Sequence, residues 1–209
     1  MLFRHGRDRE GFKRLYNSFH KRYGRIERDL GPSLDAVVED SIKTLPGREA
    51  KTGLEYACGS GLLTLKIAPL LRSLAARDLS TGMLERARRR AAELDVRGVS
   101  FAEGDLLDPD EPAKSFDFVF LSFALHLFHP DQEVEILRRL GRIAREAVIV
   151  VDHGRKWGLG TAFAERLEGS YYGLFIKTDF AAAGEKADLA LTEEREIESC
   201  LVLTFRPRT

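Results

Sequence analysis

Four polar side chains stand out because each closes an apolar run: Glu55 after Thr52-Gly-Leu, Asp78 after Ser73-Leu-Ala-Ala-Arg, Asp105 after Val99-Ser-Phe-Ala-Glu-Gly, and Ser122 after Phe116-Asp-Phe-Val-Phe-Leu. A carboxylate so placed accepts hydrogen bonds from ligand hydroxyls or amines, and its charge makes those bonds shorter and stronger. Directly after Glu55 the chain reads Tyr-Ala-Cys-Gly-Ser-Gly, with small residues at alternate positions Ala57, Gly59 and Gly61. Small side chains let the backbone come close to a ligand and allow dihedrals that a Cβ resists. A helix that follows aims its unpaired N–H groups back at the loop, so this turn is expected to seat a ligand. His126, in Ala-Leu-His-Leu-Phe, and His153, beside Asp152, are the candidate proton acceptors, because imidazole titrates near neutrality.

For these residues to meet, their runs must be neighbouring strands whose C-terminal ends share one edge, where open α/β sheets bind ligands. The pattern supports this. Strands over about 52–55, 73–79, 98–103, 116–121 and 147–152 alternate with helical stretches from Gly61 to near Pro69, from Gly82 to about Leu94 behind a Ser80/Thr81 cap, and from Pro130 to about Arg145. The 116–121 run is apolar at nearly every position, as a strand buried on both faces must be. Ahead of them, Phe12, Leu15, Tyr16, Phe19 and Tyr23 make a helical stripe that Gly24 interrupts. Gly31-Pro-Ser33 reads as a break, with Ser33 capping a second helix that ends at Pro46-Gly47. After the fifth strand, 159–175 is helical and aromatic, and Asp179 caps a short run ending at Gly184. Two strands then follow consecutively, about 187–195 and 198–206, and a tight connection makes them antiparallel. The fold class expected is α/β: one Rossmann-like, doubly wound domain with a mostly parallel sheet, helices on both faces and a C-terminal antiparallel hairpin. Residues 1–46 would form a helical cap, 50–152 a cofactor-binding core, and 153–209 a substrate-side segment ending in the hairpin.

The chain has 209 residues, enough for one domain, and its 33 Lys+Arg balance 33 Asp+Glu. Zero net charge gives no global electrostatic reason to expect nucleic acid, although residues 1–30 are basic and the remainder acidic by the same amount. Cys58 and Cys200 are too few for a disulfide framework and lie in no metal-ligand spacing, so no metal is expected. A reducing cytoplasm is the expected location. No apolar run approaches the roughly 20 residues that cross a bilayer, and MLFRHGRDRE lacks the apolar stretch of a signal peptide.

The glycine loop admits two readings. A dinucleotide loop of GxGxxG form needs a third glycine, where this chain has Thr64. Alternatively, Glu55 begins an acidic-x-small-x-Gly-x-Gly pattern. This resembles motif I, (D/E)xGxGxG, of the class I S-adenosylmethionine-dependent methyltransferases, with Ala57 in place of the first glycine. The terminal hairpin also looks like that fold, and the resemblance spans about residues 50–152. It implies S-adenosyl-L-methionine as cofactor, with Asp78 accepting from the ribose hydroxyls. Asp105 and the Leu106 N–H, following Gly104, would take the adenine edge, and Leu79 and Met83 its apolar faces. Glu55, Ser122 and the backbone of Cys58–Gly61 would hold the methionine end. His126 matches the first histidine of the family's common LHH stretch.

Methyl transfer is an in-line displacement, so positioning supplies most of the catalysis and a base is needed only for a protonated acceptor; His126 and His153 are the candidates. No Asn-Pro-Pro-aromatic run follows the fourth strand and no RNA-binding module is recognisable, which leaves a small-molecule acceptor. Trp157, Phe163, Tyr171, Tyr172 and Phe175 suggest an apolar or flat one, and Tyr16, Phe19 or Tyr23 could contribute to a lid over the cofactor. The alternatives are an NAD-type oxidoreductase, disfavoured by the missing glycine and the hairpin, and a cofactor-binding domain without catalysis.

Overall fold

The computed structural model describes residues 9–19, 24–155 and 170–208. Strands β1 (Thr52–Tyr56), β2 (Ser73–Asp78), β3 (Val99–Glu103), β4 (Phe116–Ser122), β5 (Ala144–His153), β6 (Leu189–Ile197) and β7 (Cys200–Pro207) form one sheet in the order β3-β2-β1-β4-β5-β7-β6. The first five run parallel, and β7 lies antiparallel between β5 and β6. The chain therefore reverses its winding between β1 and β4, the point at which a crevice opens above the sheet.

Apolar residues alternate between the two faces of the central strands. Val119, Leu121, Val148 and Val150 pack on one side with helices α5 (Pro130–Ile143) and α7 (Phe180–Lys186). Phe118, Phe120, Ile149 and Val151 pack on the other with α2 (Gly24–Asp40) and α3 (Thr64–Ile67). Helix α1 (Arg9–Phe19) lies against α4 (Thr81–Glu93), and α6 (Tyr172–Phe175) precedes α7. Local chemistry sets the helix starts. Ser80 Oγ accepts from Met83 N at 3.2 Å, Asp179 Oδ1 from Ala182 N at 3.0 Å, and His129 with Gln132 forms a reciprocal cap ahead of Pro130. No helix among the described residues is long and apolar enough to cross a membrane.

The expected break at Gly31-Pro-Ser33 does not occur, because α2 runs straight through Pro32. An interior proline removes one helical N–H and crowds the carbonyl four residues back, a cost of about 3 kcal/mol. Leu34 and Val37 are fully buried and Val38 nearly so, and burying such side chains contributes roughly 1.5–3 kcal/mol each, so packing onto the sheet outweighs the local penalty. Ser33 caps nothing; its hydroxyl meets that of Ser199 at 2.8 Å and ties α2 to the β6–β7 turn. The helix stops at Asp40, short of Pro46. The helix expected from Gly61 shrinks to the single turn α3, since the chain passes Gly61 at φ 78° and tightens into a 3-10 turn over Ala68–Leu70 around Pro69. The sequence-based readings placed on Tyr23, Trp157 and Phe163 lie outside the described residues, as does the side chain of Phe19.

Candidate functional site

A cavity opens at the C-terminal ends of β1 to β4, with about 980 Å³ of empty space counting its open mouth. Its wall brings together Ala57, Cys58, Gly59, Asp78, Leu79, Met83, Gly104, Asp105, Leu106 and Ser122, residues up to 65 positions apart in sequence that the topology delivers to one edge. Phe12 and Tyr16 of α1 and Leu30 of α2 close it from above.

The loop after β1 takes the left-handed conformation three times, at Ala57 (φ 53°), Gly59 (φ 53°) and Gly61 (φ 78°). The two glycines serve different ends. A Cβ on Gly59 would meet no atom within 4 Å, so that position leaves room for a ligand; a Cβ on Gly61 would stand 3.3 Å from the Cβ of Ala87, so that glycine lets α4 pack close. Ala57 holds the same dihedral with a side chain, at a cost of about 1 kcal/mol for an L-residue. Ala57→Gly is therefore expected to raise the melting temperature by about 2–3 °C; calorimetric scanning showing a lower melting temperature would contradict this account of the loop.

Asp78 is fixed by two backbone donors. Its Oδ2 accepts from Gly59 N at 2.7 Å and its Oδ1 from Ser80 N at 2.8 Å, which couples the carboxylate to both the glycine loop and the α4 cap. Burial pushes this carboxyl up to about 6 against those backbone donors. Asp105 sits in a local turn, its Oδ1 accepting from Leu107 N at 2.9 Å. Gly104 just before it donates to Asp78 O at 3.1 Å and lies so close to Arg77 that an added Cβ would come 2.9 Å from the arginine Cβ.

Glu55 stands one layer behind the wall. It is completely buried, its two oxygens accepting from Thr64 Oγ1 at 2.5 Å and Ser122 Oγ at 2.7 Å, and burial pushes it up to about 7 against those hydroxyls. Glu55 is not itself on the cavity wall, and its link to the cavity runs through Ser122, which does line it. Gly61 is likewise absent from the wall, for the packing reason above.

His126 and His153 come together at the ends of β4 and β5, beside but not on the wall. His126 Nδ1 lies 2.6 Å from Asp152 Oδ1, and Asp152 also accepts from the backbone N–H of His126 at 3.2 Å and of His153 at 2.8 Å. Burial alone would raise the Asp152 carboxyl, but the charge and hydrogen bond of His126 outweigh it and hold the group below its ordinary range. The rings of His126 and His153 are 5.0 Å apart, and that of His153 lies 4.9 Å from Phe123, a residue of the wall.

Residues 54–147 match the family model of the methyltransferase domain. That match covers under half of the chain and likens it to the methyltransferases. The aklanonic acid methyltransferase DauC of Streptomyces sp. (strain C5) is 35% identical over 104 residues, 48% of this chain and 43% of that protein. An uncharacterised methyltransferase of Bacillus licheniformis is 27% identical over 180 residues, 84% of this chain and 71% of its own. The chain spans less than half the length of DauC and of a similar methyltransferase from Schizosaccharomyces pombe, of which it covers 42%. Among solved structures, the magnesium protoporphyrin IX methyltransferase ChlM of Synechocystis PCC 6803, with S-adenosylhomocysteine bound, shares the fold at a TM-score of 0.73 and 17% identity, over 96% of this chain and 100% of that one.

Several contacts around this cavity gave no signal in the sequence. Asn17 of α1 accepts through Oδ1 from Ser80 Oγ at 2.6 Å and Gly82 N at 3.2 Å, docking the helix on the start of α4, while Lys13 pairs with Glu103. Phe12 packs its ring 5.8 Å from Phe128. Arg77 and Tyr56 both bond the carboxylate of Glu111, pinning the far end of the Asp105 loop. An Asn within an amphipathic helix and a Glu in a proline-flanked loop carry no pattern that marks such contacts.

Proposed function

We propose that the protein transfers the methyl group of S-adenosylmethionine to a small, largely apolar acceptor. The observation that carries this reading is the convergence of Asp78 and Asp105 on one cavity, behind a left-handed loop whose Gly59 leaves open space. With one lone pair of each oxygen held by Gly59 and Ser80, Asp78 keeps further acceptor capacity for a pair of ribose hydroxyls. Asp105 and the Leu106 N–H are assigned the adenine edge, Leu79 and Met83 its faces, and the backbone of Cys58–Gly61 the methionine carboxylate. Ser122, oriented by Glu55, is assigned to the methionine ammonium side. When bound, the cofactor supplies an electrophilic methyl on a sulfonium, and the chain's own task is to orient it and keep water out.

Residues 1–46 are proposed as the cap, 50–152 as the cofactor-binding core and 153–209 as the acceptor side. Phe12, Tyr16, Phe123, Leu127 and Phe128 give the acceptor end an apolar, aromatic lining, suited to a flat molecule. His126 with His153 is proposed to serve any proton transfer. With both cysteines unpaired, a reducing cytoplasm is the proposed location.

S-adenosylhomocysteine at 100 times its Kd is expected to stabilise the protein by about 2.7 kcal/mol, which for a chain of this length is a rise of about 5–10 °C in melting temperature. NAD is expected to give no shift. A larger shift with NAD than with S-adenosylhomocysteine would replace this reading by the dinucleotide one.

A further inference from the structure

Helix α1 carries two pairs of side chains, each spaced by four residues and so on one face, that do different things. Phe12 and Tyr16 line the cavity. Lys13 and Asn17, one position further on, reach the two segments that bear Asp78 and Asp105. Lys13 pairs with Glu103, the last residue of β3 and two ahead of Asp105. Asn17 Oδ1 accepts from Ser80 Oγ at 2.6 Å and from Gly82 N at 3.2 Å, where α4 starts just past Asp78. Neither Asn17 nor Ser80 lines the cavity.

The start of a helix leaves N–H groups without helical partners, and around the start of α4 each placement bears on Asp78. Ser80 N donates to Asp78 Oδ1 at 2.8 Å, Met83 N to Ser80 Oγ at 3.2 Å, and Gly82 N to Asn17 Oδ1, an acceptor supplied by another helix. Ser80 is 1% exposed, and the single proton of its hydroxyl goes to Asn17. That bond turns the hydroxyl's lone pairs towards Met83 N and so holds the cap, whose own N–H seats Asp78. Alanine at position 17 leaves the Ser80 O–H and the Gly82 N–H without this acceptor, and an unpaired buried donor costs more than the bond itself contributes. The hydroxyl then loses its orientation towards Met83 N, and the Ser80 N–H that fixes Asp78 shifts with it. Lys13 is the contrast: its pair with Glu103 is partly exposed on both sides, a kind of contact that contributes little.

We propose that Asn17 is a positioning residue for the cofactor: from outside the cavity it sets the Ser80 cap, and through the cap the orientation of Asp78. The inference rests on the cofactor reading given above and goes beyond it, since it makes a side chain remote from the ligand a condition of tight binding. Phe12 and Tyr16 ride on the same helix, so the bond that presets Asp78 also holds the apolar roof of the cavity in place.

Titration calorimetry of the full chain with S-adenosylhomocysteine is the test. Asn17→Ala is expected to weaken binding by about tenfold, and Lys13→Ala, on the same face of the same helix, by no more than about twofold. Asn17→Asp still offers oxygen acceptors to Ser80 Oγ and Gly82 N and places negative charge at a helix N-terminus, so its affinity should stay within about threefold of the natural protein. A merely structural role, through the packing of α1, would not separate these variants in that order. Ser80→Ala supplies the second readout: in that background Asn17→Ala should cost only about threefold, because the link to Asp78 is already broken. Unchanged binding in Asn17→Ala overturns the inference. So does a loss in Asn17→Asp or Lys13→Ala as large as in Asn17→Ala, or an equal cost of Asn17→Ala with and without the Ser80 hydroxyl. If the unaltered protein fails to bind S-adenosylhomocysteine, the cofactor reading itself falls before any variant is compared, which separates the two failures.

Discussion

Replacing Asp78 by alanine is expected to weaken S-adenosylhomocysteine binding by about 100-fold in titration calorimetry while the protein keeps its fold. The magnitude comes from two sources. Charge-assisted hydrogen bonds contribute about 1.5–3 kcal/mol each, and a tenfold change in affinity corresponds to about 1.4 kcal/mol. In addition, the carboxylate holds Gly59 N and Ser80 N, so its loss frees the loop that would face the methionine end. Asp78→Asn keeps the shape and one acceptor oxygen and should fall between the two. The ionised form is the one that accepts, and burial pushes this carboxyl up to about 6. Affinity should therefore be constant above about pH 7 and drop as the pH falls below 6. Unchanged affinity in Asp78→Ala would mean that the sugar lies elsewhere in the cavity.

What could be read in advance depended on whether a residue's role was set by its own strand or by a distant one. The alternation of apolar runs and helical stripes was enough for the sheet, because β4 and β5 are apolar on both faces and only a central parallel strand is buried in that way. The hairpin followed from two consecutive strands with no room for a crossover. Pro32 reads as a break on local propensity, and the apolar stripe Leu34, Val37 and Val38 reads as starting after it, whereas packing of that stripe on the sheet carries one helix through the proline. A stripe continuing across a proline is the signal that would have corrected it.

The site divides in the same way. The placement of Asp78 and Asp105 on one wall follows from strand ends alone. Glu55 also ends its apolar run, yet it turns inward, because Thr64 and Ser122 supply hydroxyls that only the folded chain brings near it. The pairing of His126 with Asp152 was within reach of the sequence: His126 lies shortly past β4 and Asp152 is the last residue but one of β5, two strands that the fold makes neighbours. Asn17 and Arg77 were not, since each acts on a partner chosen by the packing of a helix or loop.

Glu133 offers the largest effect on stability. It lies on the inner face of α5, fully buried, with Oε2 accepting from Thr178 Oγ1 at 3.2 Å and Oε1 without a hydrogen-bond partner. Burial, with the charge of Asp152 in the same direction, pushes it up to about 8, and the Thr178 hydroxyl and His126 only partly oppose this. In the unfolded chain the group titrates near 4.5. Below that pH both states carry the proton and nothing is lost; between 4.5 and about 8 the folded state holds more protons than the unfolded one, so stability falls as pH rises; above 8 the loss levels off. The ceiling, at about 1.4 kcal/mol per unit, is near 5 kcal/mol, and relaxation around the group should reduce it to on the order of 2 kcal/mol. Glu133→Gln removes the titration while keeping the shape and the Thr178 contact. Its advantage over the natural protein should be absent at pH 5 and grow to about 4–8 °C in melting temperature at pH 8. A difference that stays flat between those pH values would show that Glu133 is ionised in the folded state, and would require a cation beside Oε1 to hold it there.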